Sequence, residues 1–173
     1  VWTVGHSTHA LEAFVELVSA HGVTAIADVR KIPRSRRNPQ YDVDTLPDAL
    51  AAAGLGYVHR PGLGGLRRER ADSINRGWKN PSFRAYADYM QTDEFARELD
   101  ALVALGARGR VAIMCAEAVW WRCHRSLIAD ALIAQGEPVL HILTRERAEP
   151  HVLRDFARVD HGRVTYPGDP ELF

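Results

Sequence analysis

Apolar positions along this chain fall into short runs that alternate between two periods. Trp2-Thr3-Val4 is a brief apolar run and reads as a first strand. Leu11, Phe14, Val15, Leu17 and Val18 recur at helical spacing, and Gly22 stands just past the stripe, where helices commonly close. Val23 to Val29 reads as a buried strand ending at Asp28-Val29-Arg30. A short helix follows over Thr45 to Ala53, with Thr45 as its N-cap, Pro47 in the first turn and Gly54 behind it. Gly56 to His59 is a third strand leading into Arg60-Pro61-Gly62-Leu63-Gly64-Gly65. The polar stretch from Arg67 to Pro81 reads as a loop over the top of the sheet. Helices are predicted over Ser82 to Met90 and Thr92 to Leu105, then a fourth strand over Arg110 to Cys115. A helix over Arg122 to Gln135 and a fifth strand over Pro138 to Leu143 complete the clear pattern. Beyond Thr144 the signal weakens to a helix near Pro150 to Ala157 and a strand near Arg163 to Tyr166.

Strands alternating with helices predict an α/β protein: one three-layer, doubly wound domain over residues 1–173 with a mostly parallel sheet. Right-handed crossovers then put every parallel strand's carboxyl end on one edge. That edge would collect Gly5-His6-Ser7, Asp28-Val29-Arg30, the Gly62 to Gly65 loop and Cys115-Ala116-Glu117. The first and fourth strands are expected to be neighbours, with Ser7 near Cys115.

Composition narrows the classes. A chain of 173 residues buries roughly two thirds of the surface its unfolded form exposes. No apolar run approaches the roughly 20 residues that span a bilayer, so no membrane partner is expected. Val1 to Gly5 reads as a strand and not as a secretory signal. Two cysteines are too few for a disulfide framework, and a cytoplasmic location is expected. The formal net charge of zero gives no global pull toward nucleic acid. Positive charge is nevertheless concentrated locally, in Arg30, Lys31, Arg34, Arg36 and Arg37. Arginine suits two-pronged binding of phosphate or carboxylate, although a GC-rich codon bias would give the same excess. No pattern specifies a cofactor or an oligomeric state.

The candidate chemistry is gathered in Cys115 to Arg125, between an apolar strand and a helical stripe. Cys123, beside Arg122, His124 and Arg125 at a predicted helix start, is placed where a thiol becomes acidic. It is the candidate nucleophile or redox thiol. Cys115 is the second candidate, with a buried structural thiol as its plainer reading. Glu117, His124 and His6 are the candidate acid–base groups. A phosphatase-type Cys-x5-Arg loop fails from both cysteines, because Trp121 and Ala129 occupy the arginine positions. Zinc held by Cys115, Cys123, His124 and His6 lacks the usual ligand spacing, and no metal is expected. Gly5-His6-Ser7-Thr8-His9 resembles a hydrolase nucleophile elbow without its closing glycine. Ser7 or Thr8 is better read as a helix cap and Gly5 as a tight turn, with free N–H groups favouring an anion. Ser7, Arg30, Arg36, Arg37, Arg125, Gly64 and Gly65 are the candidate anion ligands. Asp28 is expected to pair with Arg30 or Arg125. The Gly62 to Gly65 loop lacks the Lys-Ser/Thr of a P-loop and the third glycine of a dinucleotide fingerprint. Of the four tryptophans, Trp2 reads as core and Trp120-Trp121 as a lid or contact surface.

These stretches, together with Pro33, Ser35-Arg36-Arg37-Asn38-Pro39, Leu63-Gly64-Gly65 and Cys123-His124-Arg125, resemble the domain-of-unknown-function 488 family. They run in that family's order up to about the fifth strand. The resemblance implies an α/β fold and no settled activity. Trp120-Trp121 stands where many relatives carry a proline, which implies a differently shaped loop between the cysteines. Three functions follow as expectations. The first is an enzyme acting on a small anionic or phosphorylated ligand through the Cys/Glu/His/Arg cluster. The second is a nucleic-acid-binding module using the Arg30 to Arg37 segment and exposed tryptophans. The third is a scaffold whose polar rim is an interlocked ion network.

Overall fold

A computed structural model describes residues 1–168. The chain runs β1 (Trp2–Gly5), α1 (Leu11–Ala20), β2 (Ala25–Asp28), α2 (Leu46–Ala52), β3 (Gly56–His59), α3 (Pro81–Tyr89), α4 (Asp93–Gly106) and β4 (Val111–Cys115). It continues through α5 (Arg125–Ala134), β5 (Leu140–Ile142), β6 (Ala148–Pro150), β7 (Arg158–Asp160) and β8 (Arg163–Thr165). The main sheet has the order β3-β2-β4-β1-β5-β6; β6 alone is antiparallel. The fold is therefore α/β with a mostly parallel sheet, as the alternation of periods implies.

Each face of the sheet buries one set of alternating side chains. Val4, Ile26, Ala112 and Met114 pack with Phe14, Leu17 and Val18 of α1 and Leu46 and Leu50 of α2. Ala27, Val111, Ile113 and Cys115 face the opposite layer of α3, α4 and α5. The period of two in β4 thus sends Cys115 to one layer and Met114 to the other. Helix α5 runs through this second core, with Arg125 to Leu132 all buried.

β1 and β4 are neighbours, with Gly5 opposite Cys115. The helix after β1 lies on one face and the helix after β4 on the other. Such a switch leaves a crevice beyond the carboxyl ends of the two strands, and ligands of doubly wound proteins bind there. Gly5 makes the junction close: a Cβ built on it would lie 1.9 Å from the Glu117 carbonyl oxygen. The glycine therefore serves backbone approach, and the left-handed turn falls instead on Ser7, with φ of 47°.

Several local expectations are corrected. The segment 150–157 is not helical. Pro150 ends the edge strand β6, His151 bonds Asp130 and Arg154 bonds the same carboxylate, so the chain is held open by side chains. Helix α5 starts at Arg125 and not at Arg122, since residues Trp120–Arg122 form a separate 3-10 turn. Ser7 and Thr8 do not cap α1, and Thr45 stands at the N-cap of α2 as expected but its side chain caps no N–H. Ala10 begins α1 without a side-chain cap, and the Thr45 hydroxyl donates to the Pro39 and Asp42 carbonyls. Trp2 is only half-buried.

Candidate functional site

The crevice beyond β1, β2 and β4 is a cleft of about 1020 Å³. His6, Ser7, Arg30, Arg37, Gly65, Cys115, Glu117, Cys123 and His124 all line it, so most sequence-predicted site residues share one wall. Gly64, Arg36 and Arg125 do not. Gly64 packs against the Lys31 backbone, leaving no room for a Cβ, and Arg36 is exposed outside the cleft. Arg125 lies buried behind the wall. Its guanidinium donates to the Glu117 carbonyl at 2.5 Å and to Thr3 Oγ1 at 3.5 Å.

Cys123 lies two residues before α5, ahead of its N-cap His124, in extended conformation with φ −130° and ψ 153°. Its Sγ faces Cys115 Sγ at 2.8 Å, His124 Nδ1 at 3.5 Å and the Arg125 backbone N–H at 3.5 Å. The thiol is held well below its usual range, first by the hydrogen bond from Cys115 and then by His124 and Arg125. Burial pushes Cys115 the other way, and its bond to Cys123 adds to the rise. Of the two, Cys123 is the sulfur its surroundings favour as a thiolate, and Cys115 is the one placed to donate to it. Both are free cysteines and both are buried.

The orientation of His124 decides its role. Its Nε2 lies 3.0 Å from the Val29 carbonyl, which has no proton to give, so Nε2–H donates there. Nδ1 then faces Cys123 Sγ, placed to take the thiol proton and, once protonated, to donate to the thiolate. Gly65 stands 3.4 Å from that ring when a Cβ is built on it, so the glycine leaves space for the imidazole.

His6 has a different task. Its Nδ1–H donates to the Ser7 carbonyl at 2.9 Å, and its Nε2 accepts from Arg30 Nη1 at 3.3 Å. Its ring stacks on Tyr41 with centroids 4.0 Å apart. Arg30 in turn grips Asp28 at 2.6 Å and 2.8 Å and donates to the Tyr41 carbonyl. Asp28 also accepts from Tyr57. The predicted Asp28–Arg30 pair is thus a buried clamp on the cleft floor. The N–H groups of His6 and Ser7 are taken by the Cys115 and Ala116 carbonyls and are not free for a ligand.

Cations dominate the remaining lining: Arg30, Lys31, Arg34, Arg37 and Arg122, against Glu117 as the sole acid. Arg30 and Arg34 are paired with Asp28 and Asp44. Lys31, Arg37 and Arg122 have no ion-pair partner among the described residues. Sequence reasoning chose Arg37 as a ligand, counted Lys31 only as part of the basic stretch and took Arg122 only as the helix start beside which an anion would bind. It also missed a buried chain behind the cleft. Thr3 Oγ1 donates to His141 Nδ1 at 2.7 Å, His141 Nε2 to His151 Nδ1 at 2.9 Å, and His151 Nε2 to Asp130 at 2.7 Å. Trp120 stacks on His141 at 3.9 Å with its indole N–H on Glu149, so it is a wall of this network and not a lid. Trp121 alone of that pair is exposed.

Burial lowers His6 to about 4 and His141 to about 3, from an ordinary 6.5. Both are neutral in the fold, while the unfolded chain takes up protons near pH 6.5. Unfolding therefore binds protons below that pH, and stability falls as pH drops from about 6.5 toward 4. Urea midpoints measured across this window are expected to fall. The slope should be shallower in His6→Phe, whose ring keeps the stack on Tyr41 without a titrating group.

The geometry defines a doubly wound α/β protein with a cysteine–histidine pair in a cation-lined cleft at its topological switch point. The chain belongs to the family described as domain of unknown function DUF488, whose model matches residues 10–132. That span contains β2, β4 and the Cys123-His124 pair; β1 and the strands from β5 onward lie outside it. No curated protein and no solved structure matches the chain. No helix among the described residues is long and apolar enough to cross a membrane, and those residues hold no metal-binding cluster of three or more His, Cys, Asp or Glu.

Proposed function

We propose that the cleft binds a small anionic or phosphorylated ligand and that Cys123 attacks it as a thiolate. The observation that carries this reading is the Val29–His124–Cys123 alignment: a carbonyl fixes the imidazole so that its lone pair meets the thiol. His124 Nδ1 takes the Cys123 proton. Cys115 and the Arg125 backbone N–H stabilise the resulting sulfur anion. Lys31, Arg37 and Arg122 hold the ligand's charge, and the His124 imidazolium returns its proton to the leaving group. Glu117, exposed on the lip, has no contact with either sulfur through its carboxylate; only its backbone carbonyl meets Cys115 and Arg125.

The basic segment supports nucleic-acid binding less well, because it is not a continuous stripe. Arg30 is buried on Asp28, Arg34 sits on Asp44 and Arg37 turns into the cleft.

Alkylation by neutral iodoacetamide tests both halves of the proposal. The rate follows the thiolate fraction, so a depressed thiol stays reactive well below pH 8.5, the ordinary cysteine value. His124→Ala should move the profile to higher pH, and Cys123→Ser should abolish the fast phase. Inorganic phosphate should slow the reaction several-fold, and Arg37→Ala should remove that protection. A rate that climbs only above about pH 8.5 would defeat the thiolate assignment. Absence of phosphate protection would defeat the anion assignment.

A further inference from the structure

The cleft holds two thiols where nucleophilic group transfer needs one. We propose that Cys115 and Cys123 form a two-electron couple that reduces hydroperoxides, with Cys123 attacking and Cys115 resolving. This rests on the thiolate reading of Cys123 and does not require the anionic ligand.

The two sulfurs are 2.8 Å apart, and a disulfide needs about 2.05 Å. Closing the bond is a movement of under an ångström. Both thiols line the same cleft, so a small oxidant reaches the pair from one side. Their backbones are fixed independently. Cys115 ends β4 in register with Gly5, and Cys123 is held in front of α5, its carbonyl accepting from the Ser126 N–H and hydroxyl. The intervening loop is braced from behind by Arg125 on the Glu117 carbonyl. Resolution therefore needs no local unfolding. The order of attack follows from the surroundings: Cys123 has the base and the N–H donor, whereas Cys115 lies deeper and has a carbonyl, Glu117, as its other neighbour.

The chemistry balances with a hydroperoxide ROOH as oxidant. The Cys123 thiolate attacks the terminal oxygen, the O–O bond breaks, and RO⁻ leaves as ROH with the His124 proton. Cys123 is now a sulfenic acid. The Cys115 sulfur attacks it, the S–S bond forms and the S–O bond breaks, and hydroxide leaves as water with the Cys115 proton. A small dithiol then reduces the disulfide and is itself oxidised to a disulfide.

The test treats the reduced chain with one equivalent of hydrogen peroxide and measures intact mass with and without the sulfenic-acid trap dimedone. Wild type should lose two hydrogens and take no dimedone. Cys115→Ser should stop at the sulfenic acid and be labelled, and Cys123→Ser should react at least tenfold more slowly than either. With dithiothreitol present, wild type should consume peroxide catalytically. Wild type that ends as a labelled sulfenic acid, or that never loses two hydrogens, overturns the couple; this reading needs no variant to fold. If Cys123 alkylates fast at neutral pH but no disulfide forms, the couple fails while the thiolate reading stands. If it neither alkylates nor oxidises, both fail.

Discussion

Asp130→Ala is expected to lower the stability of the fold by about 3–5 kcal/mol, the cost of stranding buried charged partners. Asp130 is fully buried on α5 and is the terminus of the chain that starts at Thr3. Its carboxylate accepts from His151 at 2.7 Å, Arg154 at 2.6 Å and Tyr166 at 2.7 Å. Removing it leaves a guanidinium, a phenol and an imidazole facing one another without an acceptor. Asp130→Asn keeps the volume and part of the bonding, so its loss should be smaller. Urea unfolding at neutral pH measures both, and the midpoint should fall in the order wild type, Asn, Ala. The effect should spread beyond the core, because the same chain reaches Thr3 and through it Arg125, which braces the loop bearing Glu117. Equal midpoints for Asp130→Ala and wild type would show that the network contributes nothing net.

Gly5→Ala should damage the thiol site more than the rest of the protein. The added Cβ would meet the Glu117 carbonyl oxygen at 1.9 Å, its carbon at 2.7 Å and Ala118 Cα at 3.0 Å. All three atoms are backbone, so no side chain can rotate away. The ends of β1 and β4 must separate, which strains the His6 to Cys115 and Ser7 to Ala116 backbone bonds. Overpacking of this kind costs about 1–3 kcal/mol or more. The displacement falls on the loop joining the two cysteines, and misplacing reacting groups by an ångström costs up to about 100-fold in rate. Alkylation of Cys123 at neutral pH should slow accordingly. Gly54→Ala is the control. Nothing lies within 4 Å of its Cβ, so only its positive φ of 77° is penalised and Cys123 should react as in wild type. A normal rate in Gly5→Ala would mean that the loop position does not govern the thiol.

How the cleft relates to the chain's residues bears on both readings. Cys123 is acidic because of what the fold brings to it: Cys115 from β4, and a His124 turned by the Val29 carbonyl of the loop after β2. The peroxide and alkylation experiments therefore address the arrangement itself and not a particular substrate.

The sequence by itself determined the order of the elements up to the fifth strand, the parallel sheet and the edge on which the polar segments gather. Local period and turn residues carry that information, since a strand's side chains alternate and a helix's recur at 3.6 whatever lies around them. The pairing of β1 with β4 and the Asp28–Arg30 clamp were also legible. The first was expected of a doubly wound sheet, and the second was one of two pairings left open for Asp28, Arg125 being the other. Asp130 within Leu127 to Leu132, and His141 between Leu140 and Ile142, were visible as polar residues in apolar runs, but not their partners. Only the tertiary structure decided those. His151 lies on a segment whose weak helical pattern lost to its bonds with Asp130 and His141, and β6 and β7 are three-residue strands, too short to show a period. It likewise decided that Arg125 faces inward while Lys31 and Arg122 line the cleft: Arg125 is drawn to the Glu117 carbonyl and the Thr3 hydroxyl, acceptors that carry no local signature in the sequence.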